Sequence, residues 1–446
     1  MWQRLISIKG EDTSLWQRLT KNFSISLGGS VATICIRLLQ TALLSKSLAI
    51  SDYGKVLIVI HLFSFLENFL GVRVNDIIYR FYPQFRQHQD TSALGGLLFL
   101  CLALSLVVGF AIAGGIFILS PWIAQHFYAD ADLALPFRIY ASTALIAAFS
   151  GFYTSILRLH DDFAAIVIPQ TLGAAMMLAV LGIYLYSTDN YRLEFVVTAC
   201  ALGVFIQTVL PFVKAMGVVR PYLFSISPMT LFRALQPYRR ELVSTLFQTN
   251  LIGYLKLASD SGGLFLLGIL ASPQQVALYG IAQQLTKPLL ILQNNIQTAI
   301  TPEVTSLLAK GKVEQLYRLV KGFVSLALII GGIAVIFALL LSQSVILWIT
   351  QPQYLEALPT FSVLIIAVYL TCISLIFYPL AVSLDQLQKR NLVVAMKLLY
   401  LGVAVSIGLN AVRLSFVQLI GALSTRLLVD IPLLIRLRKM TKISHN

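Results

Sequence analysis

Apolar residues along this chain run in long blocks, and the polar residues gather in the short stretches between them. Taking blocks between charged or Pro/Gly breaks predicts helices near 24–48, 55–75, 94–119, 137–158, 163–186, 193–214, 241–269, 276–300, 322–343, 360–383, 391–411 and 414–435. Each approaches the roughly 20 apolar residues that a helix needs to cross a bilayer. The pattern therefore predicts an all-α membrane protein of about twelve transmembrane helices, with short connections and no sizeable soluble domain.

Composition supports that reading. Of 446 residues, 58% are hydrophobic and only 12% charged, and the mean hydropathy is +0.82. Soluble domains carry about 25% charged residues, so a chain this apolar cannot cover a water-facing surface. The four cysteines (Cys35, Cys101, Cys200 and Cys372) all fall inside predicted spans without metal-ligand spacing, as small packing residues do. Two tryptophans and several charges interrupt the first twenty residues, which predicts a retained interfacial N-terminus rather than a signal peptide.

The net charge of +14 is distributed by topology and does not form a soluble basic face, so no nucleic-acid partner is expected. With the N-terminus in the cytoplasm, 23 Lys and Arg residues fall in cytoplasmic segments, 5 in the opposite loops and 5 within spans. Short loops biased this strongly obey the positive-inside rule, and an even number of spans returns the C-terminus to the cytoplasm.

The chain also repeats itself. Tyr53-Gly54 recurs as Tyr279-Gly280, Trp122-Ile123 as Trp348-Ile349 and Tyr128 as Tyr354, all at an offset of 226 residues. Both copies pass from Trp-Ile through an aromatic and acidic loop, 120–136 or 343–359, to a proline that opens the next helix, where its missing N–H costs nothing. Two six-helix lobes in parallel orientation follow, and transporters with such repeats place their substrate site between them. The expected division is an interfacial N-terminus (1–23), an N-lobe (24–214), a cytoplasmic linker (215–240), a C-lobe (241–435) and a basic tail (436–446). Within the linker, Leu231 to Leu242 forms an amphipathic stretch.

No catalytic or phosphate-loop motif is present in the sequence, and the histidines lack metal-binding spacing, so neither catalysis nor a metal is expected. Ionisable groups at membrane depth are more informative, because each costs ~3 kcal/mol or more unless it meets a cavity or a partner. Arg37 sits mid-span in a polar stripe with Ser26, Ser30, Thr33 and Gln40. Thr245, Thr249, Lys256 and Asp260 share a face of the seventh span, and Gln283, Lys287, Asn294 and Thr298 a face of the eighth, where Pro288 could introduce a kink. Lys397 and Arg426 add two cations. A wet basic cavity suited to a phosphate or pyrophosphate is the functional reading, with Arg37, Lys256, Lys287 and Lys397 as its candidates. Lys256 and Asp260, four residues apart, could equally neutralise each other, while Lys397 and Arg426 stand near span ends and could snorkel. Glu67, beside Asn68 and near His61, is a candidate cation or proton site, or a hydrogen-bonded helix contact.

Several stretches resemble bacterial polysaccharide-unit flippases of the multidrug/oligosaccharidyl-lipid/polysaccharide exporter superfamily. They are Leu-Ala-Ile-Ser-Asp-Tyr-Gly (48–54), Tyr-Arg-Phe-Tyr-Pro (79–83), Asp260 followed by Leu-Gly-Ile-Leu-Ala-Ser-Pro-Gln-Gln-Val-Ala-Leu-Tyr-Gly (267–280), Ala-Ile-Thr-Pro-Glu-Val (299–304), Leu-Leu-Ala-Lys-Gly-Lys (307–312), Gln-Tyr-Leu-Glu-Ala-Leu-Pro (353–359) and Gly421-Ala422. The order and spacing of these stretches extend over nearly the whole chain. Ser51-Asp52 stands where Pro-Glu or similar is common, and Phe69 to Asp76 is unusually polar for the family.

The resemblance implies a two-lobed alternating-access transporter of the bacterial inner membrane. Its implied cargo is an undecaprenyl-pyrophosphate-linked oligosaccharide moved from the cytoplasmic to the periplasmic leaflet. Implied partners are that lipid-linked oligosaccharide, the surrounding membrane lipids, and polysaccharide polymerase and ligase machinery. No cofactor is expected beyond an unidentified coupling cation or proton, for which Asp260 and Glu67 are candidates. Two alternatives remain at this point: a cation-coupled drug or metabolite antiporter of the same superfamily, which predicts acidic residues in the cavity, and a membrane glycosyltransferase or polymerase, which needs a catalytic loop.

Overall fold

The structure is a computed structural model and describes residues 13–188, 191–223, 234–260, 262–383 and 387–443; some side chains within these ranges, including those of Ser26, Lys256, Asp260, Asn294 and Thr298, lie outside the described set. The described residues are helical throughout, joined by short turns and 3-10 segments. The N-lobe comprises Thr13–Ser47 (α1), Ile50–Leu70 (α2), Val74–Gln87 (α3), Thr91–Phe127 (α4), Ala134–Ala147 and Ser150–Leu159 (α5 and α6), Ala164–Ser187 (α7) and Leu193–Leu223 (α8). The C-lobe comprises Arg239–Asp260 and Gly262–Leu270 (α9 and α10), Pro273–Ala309 (α11), Val313–Ile349 (α12), Leu358–Ile373 and Phe377–Ser383 (α13 and α14), Leu387–Ser406 (α15), and Ala411–Thr425 and Ile431–Ile443 (α16 and α17).

Paired segments on one pass count once, so each lobe crosses six times. Among the described residues nine of these passes are long and apolar enough to span a membrane. The segments 239–270, 273–309 and 387–406 supply the other three. Side chains such as Ile183, Leu340 and Leu399 are largely exposed, as a lipid-facing surface requires. Trp122 and Trp348, the repeat-related tryptophans, are also exposed and lie near the ends of α4 and α12, where interfacial aromatics gather.

Three expectations about boundaries are corrected. The second span was expected at 55–75, but α2 stops at Leu70, where Gly71 is extended. The polar stretch that follows opens a separate helix, α3. Its buried residues Val74, Ile77, Ile78, Phe81, Tyr82 and Phe85 recur at helical spacing, while Arg80 and Arg86 are exposed; α3 is thus amphipathic. The stretches 120–136 and 343–359 are not loops throughout. Helix α4 continues to Phe127 and α12 to Ile349. At 37 residues and about 1.5 Å per residue, these helices outlast a hydrocarbon core of roughly 30 Å. The linker expected over 215–240 is shortened at both ends, because α8 runs on to Leu223 and α9 begins at Arg239; 224–233, including the start of the amphipathic stretch at Leu231, lie outside the described residues.

Within the N-lobe α7 packs on α1 and α8, and α5 on α4 and α8; within the C-lobe α13 packs on α11 and α16. The lobes meet chiefly where α2 lies along α11, and the duplicated Tyr-Gly pairs sit in that seam. A Cβ on Gly54 would collide with the Pro273 carbonyl, and one on Gly280 with the Leu57 side chain. Tyr53 meets Tyr354 edge-on with centroids 6.3 Å apart. The Gln351 amide donates to the Lys46 carbonyl at 2.5 Å, and the Ser45 hydroxyl donates to the Ile349 carbonyl at 3.4 Å. These contacts seal the lobes at the end carrying the α1–α2 and α12–α13 turns.

The opposite end, which carries α3 and the α8–α9 junction, is rich in Lys and Arg and is called the basic end below. One buried cluster runs through both lobes around α2 and α11, joining residues such as Val56, Phe63, Ala277 and Ile281. Toward the basic end it gives way to two clusters. One is built on α3 with Leu94, Phe152, Leu235 and Leu242; the other is confined to the C-lobe around Val304, Val320, Leu380 and Val429. The hydrophobic core is one cluster where the lobes are sealed and splits into two toward the basic end, where the α3 cluster still reaches the C-lobe through Leu242 on α9.

Candidate functional site

The site develops along the polar side of α2, facing α1 and α11. Arg37 projects from the middle of α1. In the same stripe, Thr33 and Thr171 are hydrogen-bonded hydroxyl to hydroxyl at 3.0 Å, and the Gln40 amide donates to the Ala174 carbonyl at 2.6 Å. Part of the predicted stripe therefore serves α1–α7 packing, with Gly29 giving α7 close approach beside Val167. Arg37 is different. It is exposed, on a helix that packs against both α7 of its own lobe and α11 of the other.

Lys287 is half-buried on α11, which lies along α2, the helix of His61, and also touches α1, the helix of Arg37. Among the described residues neither Arg37 nor Lys287 has a carboxylate within salt-bridge distance; the ion pairs are Lys55–Asp130, Arg73–Asp76, Arg80–Glu241, Lys214–Asp162 and Arg318–Glu314. Two like charges near each other at membrane depth, without such a partner, are costly unless water or an anion sits between them. Helix α11 runs unbroken through Pro288.

The structure does not bring all the sequence candidates together. Lys397 on α15 donates to the Gln418 amide oxygen on α16 at 3.2 Å and packs across Gly421, a contact inside the C-lobe. Arg426 opens a π-helical turn, Arg426–Asp430, and interacts with Asp430 and Tyr369. The side chains of Lys256 and Asp260 lie outside the described residues. On the same helix, Thr245 accepts from Arg80 at 2.9 Å, so this part of the predicted stripe faces α3.

Glu67 lies six residues beyond His61 on α2. It borders a cavity of about 500 Å³ lined by α2, α3, α4, the α5–α6 junction and α9. The lining is polar for membrane depth: Glu67, Arg73, Asn75, Ser105, Asn250 and Tyr254 contribute. Tyr140 on α5 is buried and meets Phe63 on α2 edge-on, with centroids 5.1 Å apart. His61, Tyr140, Asn75, Ser105 and Asn250 escaped the sequence reading as site residues. Single small polar residues are common in helices, and only a polar face shared by Glu67 and His61 was visible.

Two six-helix lobes in parallel repeat, joined along α2 and α11 with charged groups at their boundary, are the architecture of a two-lobed membrane transporter. Solved structures share this architecture. An inward-facing multidrug-resistance MATE family transporter of the MOP superfamily matches with a TM-score of 0.71 at 17% identity, over 92% of this chain and 96% of its own. An outward-facing MATE structure matches with a TM-score of 0.63 at 17% identity, over 97% and 98%. A MOP superfamily transporter from Pyrococcus furiosus, described as having a binding pocket of reverse polarity that suggests a different function, matches with a TM-score of 0.61 at 18% identity, over 95% of each chain. None of the curated proteins matches the chain by sequence. The polysaccharide biosynthesis protein family matches residues 19–308, more than half of the chain, and the protein belongs to that family: it is a polysaccharide-flippase-type member of the MOP superfamily.

Proposed function

We propose that this transporter carries a lipid-linked oligosaccharide, joined to undecaprenyl through a pyrophosphate, from the cytoplasmic to the periplasmic leaflet of a bacterial inner membrane. The observation that supports this most is the pairing of Arg37 and Lys287, cations from opposite lobes that lack a carboxylate partner among the described residues. Guanidinium and ammonium groups bind phosphate oxygens through charge-assisted hydrogen bonds. A pyrophosphate between them would replace their mutual repulsion with attraction to both.

The basic end is then cytoplasmic, as the loop charges require, and both termini lie on that side. The cargo enters where the core divides and leaves after the Gly54–Pro273 seam opens. A drug antiporter that collects organic cations fits less well, because Arg37 and Lys287 would repel such a cargo. Deleting the gene tests the reading. The expected result is loss of surface glycan and accumulation of lipid-linked intermediate, reversed by the wild-type gene and not by Arg37→Ala. Normal surface glycan in the deletion strain would overturn it.

A further inference from the structure

We infer that the Glu67 cavity is a saccharide-binding subsite that holds the cargo's first sugars, rests on the function proposed above, and sits beside the Arg37–Lys287 pair. Its volume of about 500 Å³ falls within the range of small-molecule sites, roughly 300–1,000 Å³. Uncommitted hydrogen-bonding groups line it. The Ser105 hydroxyl is buried, with 2% of its residue surface exposed, and has no partner, although buried hydroxyls are nearly always bonded. Glu67 enters no ion pair among the described residues.

The neighbouring groups are already partly used, and what they leave free is informative. The Asn75 amide donates to Asp76 at 3.0 Å, so its carbonyl oxygen remains available. Asn250 accepts from the Arg73 backbone N–H at 3.2 Å and donates to the Leu246 carbonyl at 2.8 Å. The Arg73 guanidinium stands 3.3 Å from Asp76. Donors and acceptors are therefore both left: the Glu67 carboxylate and the Asn75 carbonyl oxygen on one hand, and the remaining guanidinium N–H groups of Arg73 with the Ser105 hydroxyl on the other.

A pocket offering both kinds of group suits a ligand whose hydroxyls donate and accept in turn. It disfavours an apolar chain, which would leave Ser105 and Glu67 unsatisfied. Tyr254, tilted against Phe69 at 5.5 Å between centroids, adds the aromatic surface on which a sugar ring packs. The chemistry is that of a sugar. Position agrees with this assignment. The cavity and the helices that carry Arg37 and Lys287 all border α2, so a sugar in the cavity would lie in the same interlobe region as the proposed diphosphate. Asn250 and Tyr254 come from the C-lobe and Glu67, Asn75 and Ser105 from the N-lobe, so lobe movement would dismantle the subsite and release the glycan.

The test compares two ligands on the full-length protein in nanodiscs. One is the lipid-linked glycan that accumulates in the deletion strain; the other is the polyprenyl diphosphate left after mild acid removes its glycan. Glu67→Gln and Asn75→Ala, each made separately, are expected to weaken binding of the first about tenfold and leave the second unchanged. Arg37→Ala should weaken both. Equal losses for both ligands in the Glu67 and Asn75 variants, or no loss for either, would overturn the subsite. A wild-type protein that binds the glycan-bearing lipid no better than the bare diphosphate would also overturn it while leaving the diphosphate site standing. A wild type that binds neither would overturn the function proposed above and this inference with it.

Discussion

Arg37 on α1 and Lys287 on α11 place one cation on each of two helices that pack together across the lobe boundary, with no carboxylate in salt-bridge range of either among the described residues. The seam that holds α2 against α11 lies on one side of this pair, and the divided core on the other. A charge-bearing headgroup reaching the pair from the basic end would be held where the two lobes must next part.

Gly54 controls the sealed state. Because a Cβ there would run into the Pro273 carbonyl, Gly54→Val should prevent α2 from closing on α11. Cysteine probes near Ser47 are expected to become reactive from the side opposite the basic end, and transport should fall tenfold or more. Unchanged probe reactivity would show that the seam tolerates the side chain.

The Gln351 amide and the Lys46 carbonyl, 2.5 Å apart, fasten the same end. Removing one such hydrogen bond costs about 1 kcal/mol, so Gln351→Ala should move the lobe equilibrium roughly fivefold toward opening. Double electron–electron resonance between labels on α1 and α12 would read this as a broader distance distribution. An unaltered distribution would count against a fastening role.

At the basic end Arg80 lies 2.5 Å from Glu241, a bridge between α3 and α9 with both side chains about half exposed. Exposed pairs of this kind contribute about 0–1 kcal/mol. Arg80→Glu should therefore lower the melting temperature in detergent only slightly, and adding Glu241→Arg should restore it. A large loss that the second change fails to rescue would mean that the Arg80 contact with Thr245, and not the ion pair, holds the helices.

Much of the architecture was legible in the sequence for physical reasons. Lipid tolerates only long apolar helices, so the passes stood out as blocks. The Tyr-Gly pairs at 53–54 and 279–280 announced a duplication, and they lie in the same interlobe seam. Helix ends were less legible. Trp122 and Trp348 resemble loop residues by composition, yet they ride on helices that extend beyond the hydrocarbon region. α3 was hidden because its apolar face, from Val74 to Phe85, is too short to read as a span.

The site divided in the same way. Arg37 and Lys287 were conspicuous as charges inside apolar blocks, whereas Lys397, equally conspicuous, is bonded to Gln418 within its own lobe. A charge at depth reveals its cost and not its partner. Ser105, Asn75 and Asn250 carry no spacing signature, and only the fold gathers them around Glu67.

The most direct test of the central claim is leaflet-to-leaflet movement of the lipid-linked glycan in proteoliposomes containing Arg37→Gln, Lys287→Gln or both. Each single variant is expected to lose at least tenfold in rate and the double variant no more than the product of the two, with helix content and melting temperature unchanged. Wild-type rates in the double variant would contradict a diphosphate held between these two cations.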